Sequence, residues 1–262
     1  MVFGPGYLYP NHGTFRGFWE VSLEAVRLKF YVTTLGISLS VLFGSVDTLY
    51  YDLTVFGVKC GEIPYLYPQN NRLLITARST GLIDYIFPFV NNYDTIFDTS
   101  FYGAQHYNKL IQQGDFKQQI SGEWDDSLKK FVYEKLESFQ RPDSCMNLFS
   151  FLARLNKERG NILDTQWFSV EHEGSLFKSR VLIADTITME SRGRSVLCNH
   201  FRLDLIPIND RIKMLDRSDY FSQNITRPEA IKQVWVEQNN LRRIMKASVK
   251  IGPLSVVATL RQ

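Results

Sequence analysis

Between Lys29 and Asp47 the chain runs for 17 residues, Phe30 to Val46, without one formal charge. That is the short end of what crosses a bilayer core as a helix, and longer than the usual strand of about five or six residues. Nine of the 17 are Leu, Ile, Val or Phe, opposed by Thr33, Thr34, Ser38, Ser40 and Ser45. On an insertion scale each of the nine contributes roughly −0.3 to −0.6 kcal/mol, so the span is marginal. As a helix, the run places Gly36, Ser40 and Gly44 at i, i+4 and i+8, a small-residue stripe that admits a second transmembrane helix closely. As a strand, Leu35, Ile37, Leu39, Val41 and Phe43 alternate with Gly36, Ser38, Ser40, Leu42 and Gly44. Both templates fit the pattern, and length favours the transmembrane helix over a buried strand or core helix.

Arg27 and Lys29 flank one end of this run, and Asp47 and Asp52 follow the other. The positive-inside rule then puts the short segment 1–29 on the matrix or cytoplasmic side, with the bilayer as one partner. Trp19, Tyr31, Tyr50 and Tyr51 stand where interfacial aromatic belts form. Glu20 and Glu24 among the early basic residues argue against a cleaved, acid-poor transit peptide.

Lys and Arg number 30 against 27 Asp and Glu, a net charge of +3, too small a field to grip nucleic acid as a primary role. The three cysteines, Cys60, Cys145 and Cys198, lie far apart, which excludes a disulfide scaffold and leaves no CxxC pair for zinc.

Residues 47–98 read as an irregular connector of short strands, broken by Gly57, Gly61, Pro64, Pro68 and Pro88, with Leu73–Ala77 as a buried strand. Residues 99–262 read as an α+β domain. A helix is expected from Ser100 to Ile111, and a second where Leu128, Phe131, Val132, Leu136 and Phe139 trace one face behind Asp126. A third begins near Ser144, carries Cys145, Leu148, Phe149, Leu152 and Leu155, and stops at Gly160. The period then switches to two, giving strands over 167–173, 176–190 and 195–208 joined by turns at Gly174 and Gly193, an antiparallel meander. Phe168, Val170, Val181, Ile183, Ile187, Met189, Leu197, Phe201, Leu203 and Leu205 should face inward. Thr226-Arg227-Pro228-Glu229 has the form of a capping box for a helix through Ile231, Trp235, Leu241 and Val249. Residues 251–260 form a last strand or arm. The expected fold class is therefore α+β: one N-terminal transmembrane helix, then helices on an antiparallel meander.

Chemistry has few places to stand. Cys198 and His200 share a strand face by spacing, as do Glu171 and Glu173, but a tetrahedral metal site needs more ligands than these supply. His172 shares a face with Phe168 and Val170, and Asp185 with Ile183 and Ile187, so an imidazole and a carboxylate could meet in a pocket as acid and base. No P-loop, GxGxxG turn, GxSxG elbow or HExxH helix occurs, and no cofactor or metal is expected.

The aromatic load, 19 Phe, 13 Tyr and 4 Trp, suits a chain that buries surface against partners. The leading expectation is a non-catalytic accessory subunit of a membrane complex, a respiratory-chain or ATP synthase assembly of the mitochondrial inner membrane, with other subunits as partners. The alternatives are a soluble α+β ligand-binding or enzymatic domain with a His172/Asp185 pocket, and a viral capsid subunit in which 35–43 is a sheet strand.

Overall fold

The computed structural model of the chain describes residues 48–134, 138–191, 193–208 and 218–261. The run 30–46, with Gly36, Ser40 and Gly44, lies outside the described residues, as does all of 1–29. By internal contacts the chain divides into Met1–Val46 and Asp47–Gln262.

The second unit is not α+β with helices layered on a sheet. Among its described residues fifteen strands form one sheet, and the helices are short. The first eight strands are β1 (Thr48–Val55), β2 (Val58–Gln69), β3 (Arg72–Ser79), β4 (Phe89–Phe97), β5 (Ala104–Gln113), β6 (Phe116–Asp125), β7 (Lys130–Tyr133) and β8 (Phe139–Gln140). The others are β9 (Met146–Asn147), β10 (Trp167–His172), β11 (Ser175–Ser191), β12 (Arg194–Pro207), β13 (Ile231–Glu237), β14 (Ile244–Ile251) and β15 (Leu254–Leu260). Their order across the sheet is 8-7-6-5-4-3-2-1-15-14-13-12-11-10-9. Each half is a meander of sequence neighbours, and the halves join where β1 meets β15 antiparallel, Tyr51 opposite Leu260. No boundary falls near residue 98, because β4 and β5 pair along their length. The expected connector 47–98 is part of the sheet.

Three expected helices are strands. Residues 104–113 are β5, 130–133 are β7, and the segment carrying Ile231, Trp235 and Val249 is the hairpin β13–β14. The physical reason is visible in β13, where Lys232, Val234, Trp235, Val236 and Glu237 are all buried. A strand covered on both faces loses its alternation, and its apolar spacing then mimics a helix. Thr226 caps the C-terminus of a six-residue helix instead of starting a long one.

The helix expected after Ser144 is present as α2 (Leu148–Lys157), following a short α1 (Leu82–Ile86) between β3 and β4. Asn147 caps α2: its side chain accepts from the Phe149 and Ser150 amides while Ser150 Oγ accepts from the Asn147 amide. Such a cap contributes about 1 kcal/mol. Leu148, Phe149, Phe151, Ala153 and Leu155 are all buried, because the sheet curls around this helix. α2 touches β3 and β4 of one half and β10 of the other. Tyr65 of β2 hydrogen-bonds Asn156 at the end of α2, whose side-chain amide donates to the Arg242 carbonyl at 2.9 Å. After α2 come α3 (Gly160–Leu163) and, before β13, α4 (Tyr220–Ile225).

The sheet's outer strands, β8 and β9, are two residues long, too short to template pairing with another chain. Between them Arg141 is buried and donates to the Ala104 and Cys145 carbonyls, with its guanidinium 4.4 Å from the Phe131 ring centroid. The long strands β10, β11 and β12 match the expected meander. A bulge between Ile183 and Asp185 shifts the phase of β11, so that beyond it Asp185, Ile187 and Met189 stand on the opposite face from Val181 and Ile183, and Leu197 on β12 is half exposed.

Candidate functional site

The β1–β2, β3–β4, β5–β6, β10–β11 and β14–β15 connections all lie at one end of the sheet. Two features of different character meet there, a buried ionic cluster inside and an apolar rim outside.

The cluster centres on Lys109, which sits in β5 between Tyr107 and Ile111 and shares their inward phase. Its ammonium is fully buried and donates to Glu173 in the β10–β11 turn, to Ser218 Oγ at 3.1 Å and to Asp219 Oδ2 at 3.1 Å. Three donors meet three acceptors, which is the condition for keeping a charge inside. Ser218 Oγ donates to the other Glu173 oxygen at 2.7 Å, and Tyr93 OH donates to Asp219 Oδ1 at 2.9 Å. Asp219 also caps α4 by accepting from the Ser222 amide. Burial works against its charge, yet Lys109 and the Ser222 and Tyr93 hydrogen bonds hold its carboxyl below the ordinary value.

Next to it, Glu171 Oε1 accepts from Tyr133 OH at 2.6 Å and from the Gly174 amide at 2.7 Å, joining β7 to β10 across the curl. Burial pushes the Glu171 pKa up, against the pull of Tyr133 and Arg141. Two cations, Lys109 and Arg141, face three carboxylates here, so the cluster is neutral when Glu171 carries a proton. His172 is fully buried, its Nε2 3.7 Å from Glu173 Oε1, and burial lowers its pKa toward the neutral imidazole. Tyr107 OH, Glu171 Oε2 and His172 Nε2 have no hydrogen-bond partner among the described residues.

Asp185 is elsewhere. The bulge after Ile183 sets it opposite His200 on the outer face of the sheet, Nδ1 to Oδ1 2.9 Å, with the Asp185 side chain 56% exposed. His200 Nε2 lies 2.9 Å from Gln233 Nε2, and the imidazole stacks on Trp235 at 4.4 Å and 7°. The structure therefore does not bring His172 and Asp185 together. Cys198 and His200 do share a face, as the unbroken register Ile187–Cys198 and Asp185–His200 requires, but Cys198 is buried and its thiol is pushed up to about 11. Among the described residues no group of three His, Cys, Asp or Glu is placed to hold a metal ion.

The rim begins at α1. None of its residues is buried, and Leu82, Tyr85 and Ile86 are 81%, 90% and 73% exposed. Phe87 follows, and Phe56 and Val58 of the adjoining β1–β2 turn are also exposed. The one acid of α1, Asp84, is turned back onto Ser79 Oγ. Sequence reading missed both features. A lysine inside a strand reads as solvent-facing, and the signal that could have placed it inward is the alternation of Tyr107, Lys109 and Ile111.

No protein-family model matches the chain, and no curated protein matches it in sequence. Among solved structures, it is similar to a beta-barrel-like protein of the domain of unknown function DUF1849 from Brucella abortus. The TM-score is 0.53 at 9% identity, over 82% of this chain and 95% of that one. A hypothetical lipoprotein, YmcC from Escherichia coli K12, gives a TM-score of 0.35 at 12% identity, covering 82% and 83%. Among the described residues no helix is long and apolar enough to cross a membrane. The fold shared with the first of these structures corrects the expectation of a mitochondrial inner-membrane accessory subunit of the respiratory chain or ATP synthase, and with it the expected location. In their place stands a fold: the described unit of the chain is a curled sheet of the beta-barrel-like kind.

Proposed function

We propose that this protein is a non-enzymatic interaction protein that docks other proteins through the apolar rim at one end of its sheet. The observation that carries this reading is α1, a helix with no buried residue whose Leu82, Tyr85 and Ile86 stand in solvent beside Phe56 and Val58. Contiguous exposed apolar patches of this kind mark interaction sites, and a structural role for α1 would bury at least one face. Lys109 is spent on Glu173, Ser218 and Asp219, which supports a fastening role for these groups.

A photo-crosslinking residue in place of Tyr85 tests the reading against the same residue in place of Leu128, an exposed apolar side chain at the opposite end of the sheet. Discrete protein adducts are expected from position 85 and not from position 128. Equal yields at the two positions would sink the proposal.

A further inference from the structure

Resting on that reading, we infer that the partner which covers the rim is a second copy of this chain, in a two-fold dimer. Leu82, Tyr85, Ile86, Phe87, Phe56 and Val58 form the centre of the patch. With each aromatic side chain offering ~150–250 Å² when fully open, six side chains exposed to this extent present on the order of 800 Å². That equals the ~800 Å² one partner contributes to a standard stable interface. The six side chains of the centre are themselves uncharged, and the one acid of α1, Asp84, is turned onto Ser79; interface cores are likewise depleted of charge.

Both flanks carry exposed charge. On one side the Phe56 amide donates to Ser255 O at 3.1 Å, which fixes the β14–β15 hairpin beside the patch, and Lys250 stands exposed one pair into that hairpin. On the other side the Gly114 amide donates to Pro88 O at 2.8 Å, which fixes the β5–β6 turn there. Asp115 is exposed at the tip of that turn, and Lys117 lies one pair into the ladder opposite Gln112. Among the described residues neither Asp115 nor Lys250 makes an ion pair. An isologous contact sets the same patch against itself. A two-fold axis lying across the row exchanges its flanks, so Lys250 of each copy meets Asp115 of the other, twice. This orientation sets Lys250 against Asp115, whereas with the flanks unexchanged Lys250 would face its own copy.

The test is the mass of the full-length protein by light scattering and sedimentation equilibrium over a range of concentrations. A dimer is expected. Tyr85→Ser/Ile86→Ser should raise its dissociation constant at least tenfold, with the thermal melt of the dilute monomer unchanged. Asp115→Lys and Lys250→Asp should each weaken the dimer, and the double swap should restore it. A monomer at every concentration, a dimer indifferent to the rim variants, or a double swap weaker than either single change overturns the inference. So does flotation of the protein with phosphatidylcholine vesicles through Tyr85 and Ile86 in place of self-association. If the protein is monomeric while position 85 still crosslinks to a different protein, the dimer fails and the docking function stands; if position 85 captures nothing, both fail.

Discussion

His172 and His200 each stand beside a carboxylate, and their surroundings make them opposites. His172 is sealed inside the curl, 3.7 Å from Glu173, in a cluster where every charge is met by another buried group. His200 lies on the outer face, 2.9 Å from a half-exposed Asp185, between Gln233 and the flat of Trp235, over which Lys246 also sits at 4.7 Å. The same pair of residue types does different work on the two sides of one sheet. Inside, low polarity makes each partner indispensable. Outside, water can replace either partner at small cost.

The comparison is broken or sharpened most strongly at Lys109. Lys109→Met leaves Glu173 and Asp219 buried without their cation, and stripping one partner from such a set costs about 3–5 kcal/mol. Urea denaturation should show that loss, and a change under about 1 kcal/mol would mean that the interior is wetter than its geometry implies. The pH dependence comes next. His172 titrates lower in the fold than in the unfolded chain because burial disfavours its charge, so its share of stability is present above the unfolded value of ~6.5 and is lost as pH falls from there toward the folded value. Asp219, also held low, adds a loss further into acid, as pH falls through its folded value. Glu171 has the opposite sign: its raised pKa makes stability fall as pH rises through the folded value. His172→Gln should flatten the stability curve just below ~6.5 while leaving the Asp219 loss in place, and a curve unchanged by that substitution would contradict the burial argument. The smallest effect belongs to the outer face. Asp185→Asn should alter stability by no more than ~1 kcal/mol in the same denaturation assay, as half-exposed pairs do.

How much of this was legible in the sequence follows from burial. The strands over 167–173, 176–190 and 195–208 and the helix through Leu148 and Leu155 could be read because a period of two or of 3.6 holds over most of their length. The Leu73–Ala77 run is likewise part of β3. Residues 104–113, 130–133 and 231–249 were misread as helices. β13 is covered on both faces, and Phe131 and Tyr133 alternate over too few residues to outvote their helical spacing to Leu128 and Leu136. The bulge after Ile183 carries no sequence signature, yet it sends Asp185 to His200 and separates it from His172. Glu173 and Asp219 lie 64 and 110 residues beyond Lys109 along the chain, so no local pattern could join them to it.

The seam between β1 and β15 has a consequence for how the chain assembles. Every other pairing in the sheet links strands consecutive in sequence, whereas Tyr51 must find Leu260 across nearly the whole described chain. Closing so long a loop is costly before any contact rewards it, and rate falls as contacts become non-local. The two meanders, β1 to β8 and β9 to β15, should therefore form as separate local ladders, with this seam as the late step that zips them into one sheet. Leu53→Ala, in the centre of the seam opposite Ala258, would then speed unfolding more than it slows folding, which places the last contact made among the first to be lost.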